Sequence, residues 1–287
     1  MKIVITGASG FIGSELAAHF YARGDQVIGI SRRESRSAAW HTFFQTSLGQ
    51  SCDPAAFQNA DLVIHTAHDR TKGACQTNVS GTKLWFDQAR RAGAHLQLFL
   101  SSVAAHREAP SEYGRAKFIL EEYFFKEGGL VIRPGLVVGH GGTFMEMLHF
   151  LTRFPVVPIP GGDRLKVVLT DITTLSEVAL KHSFLKKRAI YNLFQPEWIG
   201  LYSLGREIRR LFKVRGFLLP LPIALSKFMI KMAEKVWLPQ TLSYESLCNT
   251  EKSQYYGYVS SYPELGLPIK TLTEMLKTYN DKNREES

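Results

Sequence analysis

Cysteine is scarce: Cys52, Cys75 and Cys248 are the only three in 287 residues, far apart and in no CxxC pair. That excludes a disulfide framework and a thiolate metal site, and the three read as reduced cytosolic thiols. The nine histidines show no HxxxH or comparable ligand pairing, so no metal is expected. Long apolar runs are missing too. The most apolar stretch, FLLPLPIALSKFMIKMAEKVW, is broken by Pro220, Pro222 and several lysines, which argues against a spanning helix. Ahead of the first apolar run there is no charged n-region, h-region or cleavage site, so export is not expected and the predicted location is cytoplasmic. There is no internal repeat and no low-complexity tract apart from a polar end, with a flexible tail predicted over 281–287. Negative charge is in deficit, 26 acidic against 35 basic residues for a net charge of +9. That balance favours anionic partners such as phosphates, nucleotides or a membrane surface.

What is present is apolar matter, 45% of the chain, enough for one large domain and a smaller lobe. KIVIT (Lys2 to Thr6) reads as a buried strand, followed by Gly7, Ser9 and Gly10 and then an apolar-periodic helix ending near Gly24. Further strands are predicted at Gln26 to Ser31, Leu62 to Thr66, Leu96 to Ser101 and Leu130 to Arg133. Helices are predicted at 74–92, closed by Gly93, and at about 111–126. This alternation predicts an α/β fold with a doubly wound parallel sheet. After Pro134-Gly135 the pattern loosens, and Pro155, Pro158, Pro160 and Gly161-Gly162 predict loops. AIYNLF (Ala189 to Phe194) reads as a strand returning to the sheet, and the chain from Glu197 reads as mainly helical. The predicted division is therefore 1–138 with about 167–196 returning, against a substrate lobe of about 139–166 and 197–280.

TGASGFIG sets Gly7, Gly10 and Gly13 between the first strand and the first helix. Such a turn combines unusual dihedrals, close approach to a pyrophosphate and tight helix packing, and the helix N-terminus at Phe11 and Ile12 attracts the anion. At the end of the second strand, where an acidic residue would hold the ribose hydroxyls of NAD, stand Ser31, Arg32 and Arg33. Those suit a 2′-phosphate, so NADP is favoured and NAD remains an alternative; equally, both arginines can simply face solvent. Tyr113 and Lys117 are four apart on a predicted helix and share one face.

These residues carry a resemblance. TGASGFIG, DLVIHTA (Asp61 to Ala67), NVSGT (Asn78 to Thr82), FLSSVA, YGRAK and IRPG occur in order, and the chain resembles the extended short-chain dehydrogenase/reductases of the NAD(P)-dependent epimerase/dehydratase group. The resemblance implies a Rossmann domain, with a mainly helical C-terminal substrate lobe. It implies a catalytic set of Ser102, Tyr113, Lys117 and Asn78, with Ser101 as runner-up for the serine, and cofactor contacts at Gly7, Ser9, Gly10, Phe11, Ile12, Gly13, Ser31, Arg32, Arg33, Thr66, Ala67, Lys117 and Arg133. Lysine and an oxidised nicotinamide would together lower the phenol pKa from about 10, letting Tyr113 exchange a proton. His65 would lie near the cofactor, and Arg133 would line the cleft or cap a strand end. The acidic pair of the dehydratases is replaced by Val103 and Ala104, which argues against dehydration. Asp171 matches a family aspartate and reads equally as a helix N-cap, the reading preferred.

The expected function is redox or epimerisation at a secondary alcohol or ketone, most plausibly of a nucleotide sugar. Alternatives are reduction of a non-sugar ketone, as in the steroid and flavonoid branches, or a redox-silent NADPH-binding subunit. The expected partner is an anionic small molecule, with no nucleic acid, and a homodimer is compatible. The basic lobe leaves three readings open. Lys227, Lys231 and Lys235 form one stripe on an otherwise apolar helix, which can pack its apolar side and solvate its charges or rest on an anionic membrane. In the third reading Arg206, Arg209 and Arg210 hold a substrate diphosphate.

Overall fold

The computed structural model describes residues 1–34, 39–181, 188–233 and 243–276. In chain order the elements are β1 (Lys2–Thr6), α1 (Phe11–Ala22), β2 (Gln26–Ser31), β3 (Thr42–Gln45), β4 (Leu62–His65), α2 (Cys75–Arg91), β5 (Leu96–Leu100), α3 (Glu112–Lys126) and β6 (Leu130–Pro134). There follow β7 (Leu136–Val138), α4 (Gly142–Arg153), β8 (Val156–Pro160), β9 (Lys166–Val167), β10 (Leu169–Asp171), α5 (Ile172–Lys181) and β11 (Ile190–Leu193). The last are β12 (Ile199–Gly200), α6 (Leu201–Leu211), β13 (Phe217–Leu221), α7 (Ile223–Ala233) and α8 (Tyr244–Ser253). Contacts divide the chain into two units, Met1–Glu108 with Glu112–Arg133 and Ile172–Tyr191, and Ala109–Ser111 with Pro134–Asp171 and Asn192–Ser287.

The first unit is built on a seven-stranded sheet in the order β11-β6-β5-β4-β1-β2-β3. Its strands from β3 to β6 pair in parallel. The β-branched run of β1 is buried from Ile3 to Thr6 because helices cover both faces, so the strand has no need of polar alternation. Val4, Ile30, Phe57, Val63 and Trp85 form one cluster of this core, and Phe86, Phe99, Leu120, Phe124 and Val131 another. Strand order reverses between β1 and β4, the place where doubly wound sheets bind ligands beyond the strand C-termini. Helix α2 stops as its sequence predicts, at Ala92 followed by Gly93 with φ of 84°.

The second unit has its own core of Phe144, Leu148, Leu151, Val157, Leu204 and Ile208. Several expectations are corrected here. Residues 134–138, 167–171 and 192–196 belong to this unit, and β7 and β10 pair with each other and not with the large sheet. The proline-rich stretch is a strand, β8, in parallel register with β13, which interrupts the predicted helical region. Prolines are tolerated because the pair has only two strands and leaves outer edges needing no donor. Arg209 is buried and donates to the carbonyls of Arg215 at 2.6 Å, Pro155 at 3.3 Å and Phe217 at 3.4 Å, while Arg210 pairs with Glu207. Neither is left as a converging phosphate clamp; Arg206 is exposed.

Helix α7 is oriented against the ordinary rule. Ser226 is buried and Lys227 turns to Glu251 of α8, whereas Phe228, Met229 and Met232 point outward. Lys235 and the predicted tail at 281–287 lie outside the described residues. Asp171 ends β10 directly ahead of α5, and its buried carboxylate pairs with Lys270. Among the described residues no helix is long and apolar enough to cross a membrane.

Candidate active site

The glycine turn forms a cradle at the C-terminal end of β1. Gly7 has φ of 73°, and a Cβ there would stand 2.7 Å from the backbone of Ala67. A Cβ on Gly13 would stand 2.3 Å from the Gly7 carbonyl oxygen. Strand, turn and helix are thus packed closer than any side chain permits. Gly10 caps α1 without a side-chain bond, no acidic residue occupies the first turn, and Ser9 and Gly10 are exposed while Phe11 and Ile12 are half-buried. The helix therefore presents its free N–H groups and partial positive end outward, as a pyrophosphate requires. Ser9 Oγ lies 2.5 Å from Ser31 Oγ at the end of β2, with Arg32 and Arg33 exposed beyond it. On the other side, Thr66 donates to the Thr6 carbonyl at 2.7 Å. The expected cofactor residues at these strand ends are thus brought together, and they fit a dinucleotide.

Tyr113 and Lys117 stand one turn apart on α3, and Ser102 is the second residue beyond β5 in the same unit. Tyr113 and Ser102 hydrogen-bond. Burial raises the phenol pKa above its ordinary value, opposed by the Ser102 bond and by Arg70. The expected lowering by the lysine is therefore absent from the protein alone. Lys117 Nζ instead donates to the Leu100 carbonyl at 2.6 Å and lies 5.8 Å from the Tyr113 ring centre. Burial lowers its pKa to about 8, against the attraction of Glu121.

Asn78 is buried in α2 and clamps a loop from both ends of its amide, accepting from the Asp69 N–H at 2.7 Å and donating to the Asp69 carbonyl at 2.9 Å. That loop carries His68, whose ring meets the Tyr113 ring edge-on at 4.9 Å. Burial, with Lys117 and Arg70 nearby, lowers the His68 pKa to about 3, so the imidazole is neutral. Arg133 does not stand open toward a cofactor: its guanidinium grips Glu121 at 2.7 and 2.5 Å, and Ser101 donates to the same carboxylate at 2.5 Å. His65 is a core residue, bonded to Gln97 at 2.9 Å and packed edge-on against Phe124.

Glu121 and His68 escaped the sequence reading. Glu121 had one signal, its position four residues after Lys117 on the same helical face.

The model of the NAD dependent epimerase/dehydratase family matches residues 3–146. A UDP-glucose 4-epimerase of Erwinia amylovora is 29% identical, across 42% of this chain and 47% of that protein. Sterol demethylase protein B of Methylococcus capsulatus is 26% identical, across 52% of this chain and 58% of that protein. The chain spans about half the length of these two curated relatives. Of solved structures, gox2253 aligns with a TM-score of 0.72 at 18% identity over 99% of both chains. MoeE5 in complex with UDP-glucuronic acid and NAD aligns with a TM-score of 0.66 at 18% identity, covering 77% of this chain and 86% of that one. At such identities the likeness is one of fold.

Proposed function

The chain belongs to the NAD-dependent epimerase/dehydratase family, and on that premise we propose that it is an oxidoreductase or epimerase interconverting a secondary alcohol and a ketone in a nucleotide sugar, with NADP preferred to NAD. The observation that carries this reading is the hydrogen-bonded pair of Ser102 and Tyr113 with Lys117 one turn along, in the unit that holds the glycine cradle. A bound nicotinamide supplies the hydride donor or acceptor. Tyr113 gives or takes the proton of the substrate oxygen at its phenolic Oη, and Ser102 donates a hydrogen bond to that oxygen. Lys117, which donates to the Leu100 carbonyl, keeps a positive charge beside the phenol and would hold the ribose hydroxyls of a bound cofactor. Asn78 positions the loop that carries His68 against Tyr113. Neither Val103 nor Ala104 offers a carboxylate, so the reading does not extend to dehydration.

The net charge of +9 suits a diphosphate substrate. The likeness to sterol demethylase protein B over half the chain favours, as a second reading, a non-sugar ketone as substrate. Assaying UDP-sugars and steroid ketones with NADPH and NADH separates the two. On whichever substrate turns over, Tyr113→Phe is expected to cut kcat by about 10²–10⁴ while leaving cofactor affinity nearly unchanged. Parental turnover in that variant sinks the assignment. The Lys117 ammonium is present below its pKa of about 8 and lost above it, so kcat is expected to fall on the alkaline side near pH 8.

A further inference from the structure

The second unit turns apolar side chains to the outside on adjoining elements. In the β8–β13 pair, Val156 stands opposite Phe217 and Pro158 opposite Leu219. Val157 and Ile159 are buried, and Leu218 packs on the same core. Alternation therefore sends the opposed residues outward, with Phe217 61% and Leu219 45% exposed. Pro222 alone separates β13 from α7, which repeats the pattern with Phe228 65% and Met232 52% exposed. Single exposed apolar residues are normal in any protein, whereas a group of them on neighbouring elements marks a surface that meets something.

Charge identifies what it meets. From Ile208 to Ala233 there is no aspartate or glutamate, and there are six basic residues. Arg209, Arg210 and Lys227 are engaged within the protein, which leaves Lys213, Arg215 and Lys231 exposed in the same stretch of chain as the apolar groups. This excess of exposed basic charge complements anionic headgroups and repels the same charge on a second copy. We propose that this face docks the second unit on an anionic bilayer surface. Phe217, Phe228 and Met232 enter the acyl boundary, and Lys213, Arg215 and Lys231 lie at the headgroups. The geometry is that of an element lying in the interface, on the surface of the bilayer, since α7 is an eleven-residue helix.

The test is cosedimentation of the full chain with phosphatidylcholine vesicles and with phosphatidylcholine–phosphatidylglycerol vesicles. Binding is expected to the anionic vesicles and to be at least roughly tenfold weaker in the Phe217→Ser, Phe228→Ser double variant. Replacing Lys213, Arg215 or Lys231 by Gln is expected to weaken it about fivefold each. Thermal unfolding of each variant checks that the fold is retained. The proposal is overturned by failure of the parent to bind anionic vesicles, or by charge-dependent binding that the double serine variant leaves untouched. Sedimentation equilibrium showing a dimer that the serine changes dissociate would instead give the face to a second copy of the chain and overturn it as well.

Discussion

Where the first unit takes Lys117, Glu121 and Asn78 inside, the second leaves Phe217, Phe228 and Met232 outside. Both arrangements break the ordinary sorting of side chains, and their physical costs differ. Removing two charges from water costs several kcal/mol per ion, and the cost is offset only where geometry pairs them, as Arg133 and Ser101 do for Glu121. An exposed phenylalanine forfeits burial it never had and weakens nothing around it. Buried charge therefore reports a site whose shape is fixed by its partners. Exposed apolar surface reports a site completed by something else.

The largest expected effect tests the inside half of this contrast. Glu121→Leu removes the carboxylate that pairs with the largely buried Arg133 and is expected to destabilise the protein by about 3–5 kcal/mol, read from urea unfolding. A loss under about 1 kcal/mol would mean the pair is solvated and the contrast overstated. Next in size is a comparison of arginines. Arg133 is gripped by Glu121, whereas Arg32 and Arg33 stand exposed. The parent is expected to bind NADPH roughly tenfold more tightly than NADH in calorimetric titration, and the double change Arg32→Ala, Arg33→Ala to narrow that gap. Equal affinities in the parent would remove the case for NADP. The smallest effect belongs to the outside half: Phe228→Ser is expected to change unfolding stability by no more than about 0.5 kcal/mol. A loss of about 2 kcal/mol would show that Phe228 packs within the protein.

The same contrast explains what could be read from the sequence. Strands of the first unit are short, apolar and buried on both faces, so KIVIT and LVIH announce themselves, and the glycine spacing places the cradle. Edge strand β3, TFFQ, has no fully buried residue and gave no such signal. In the second unit, Pro155, Pro158 and Pro160 read as loop, yet β8 forms because its partner lies far along the chain and only tertiary pairing decides the outcome. In helix α7 the stripe of lysines was read from periodicity, and its third member, Lys235, lies outside the described residues; which side faces in depends on Glu251 of α8, and periodicity carries no such information. That Tyr113 and Lys117 stand one turn apart was legible because their spacing on a helix fixes it. The bond between Glu121 and Arg133 was not, since it joins a helix to a strand after a turn in the chain.

The parallel pairing of β8 with β13 also has a kinetic side. Its two strands are about sixty residues apart in sequence, so closing that loop loses chain entropy before any ladder bond forms to compensate. Helices α4 and α6, whose backbone hydrogen bonds are local, can form well before it. During synthesis or refolding, Val157 of β8 and Leu218 of β13 therefore await each other while still exposed to water, and in that interval the segment is open to wrong pairing.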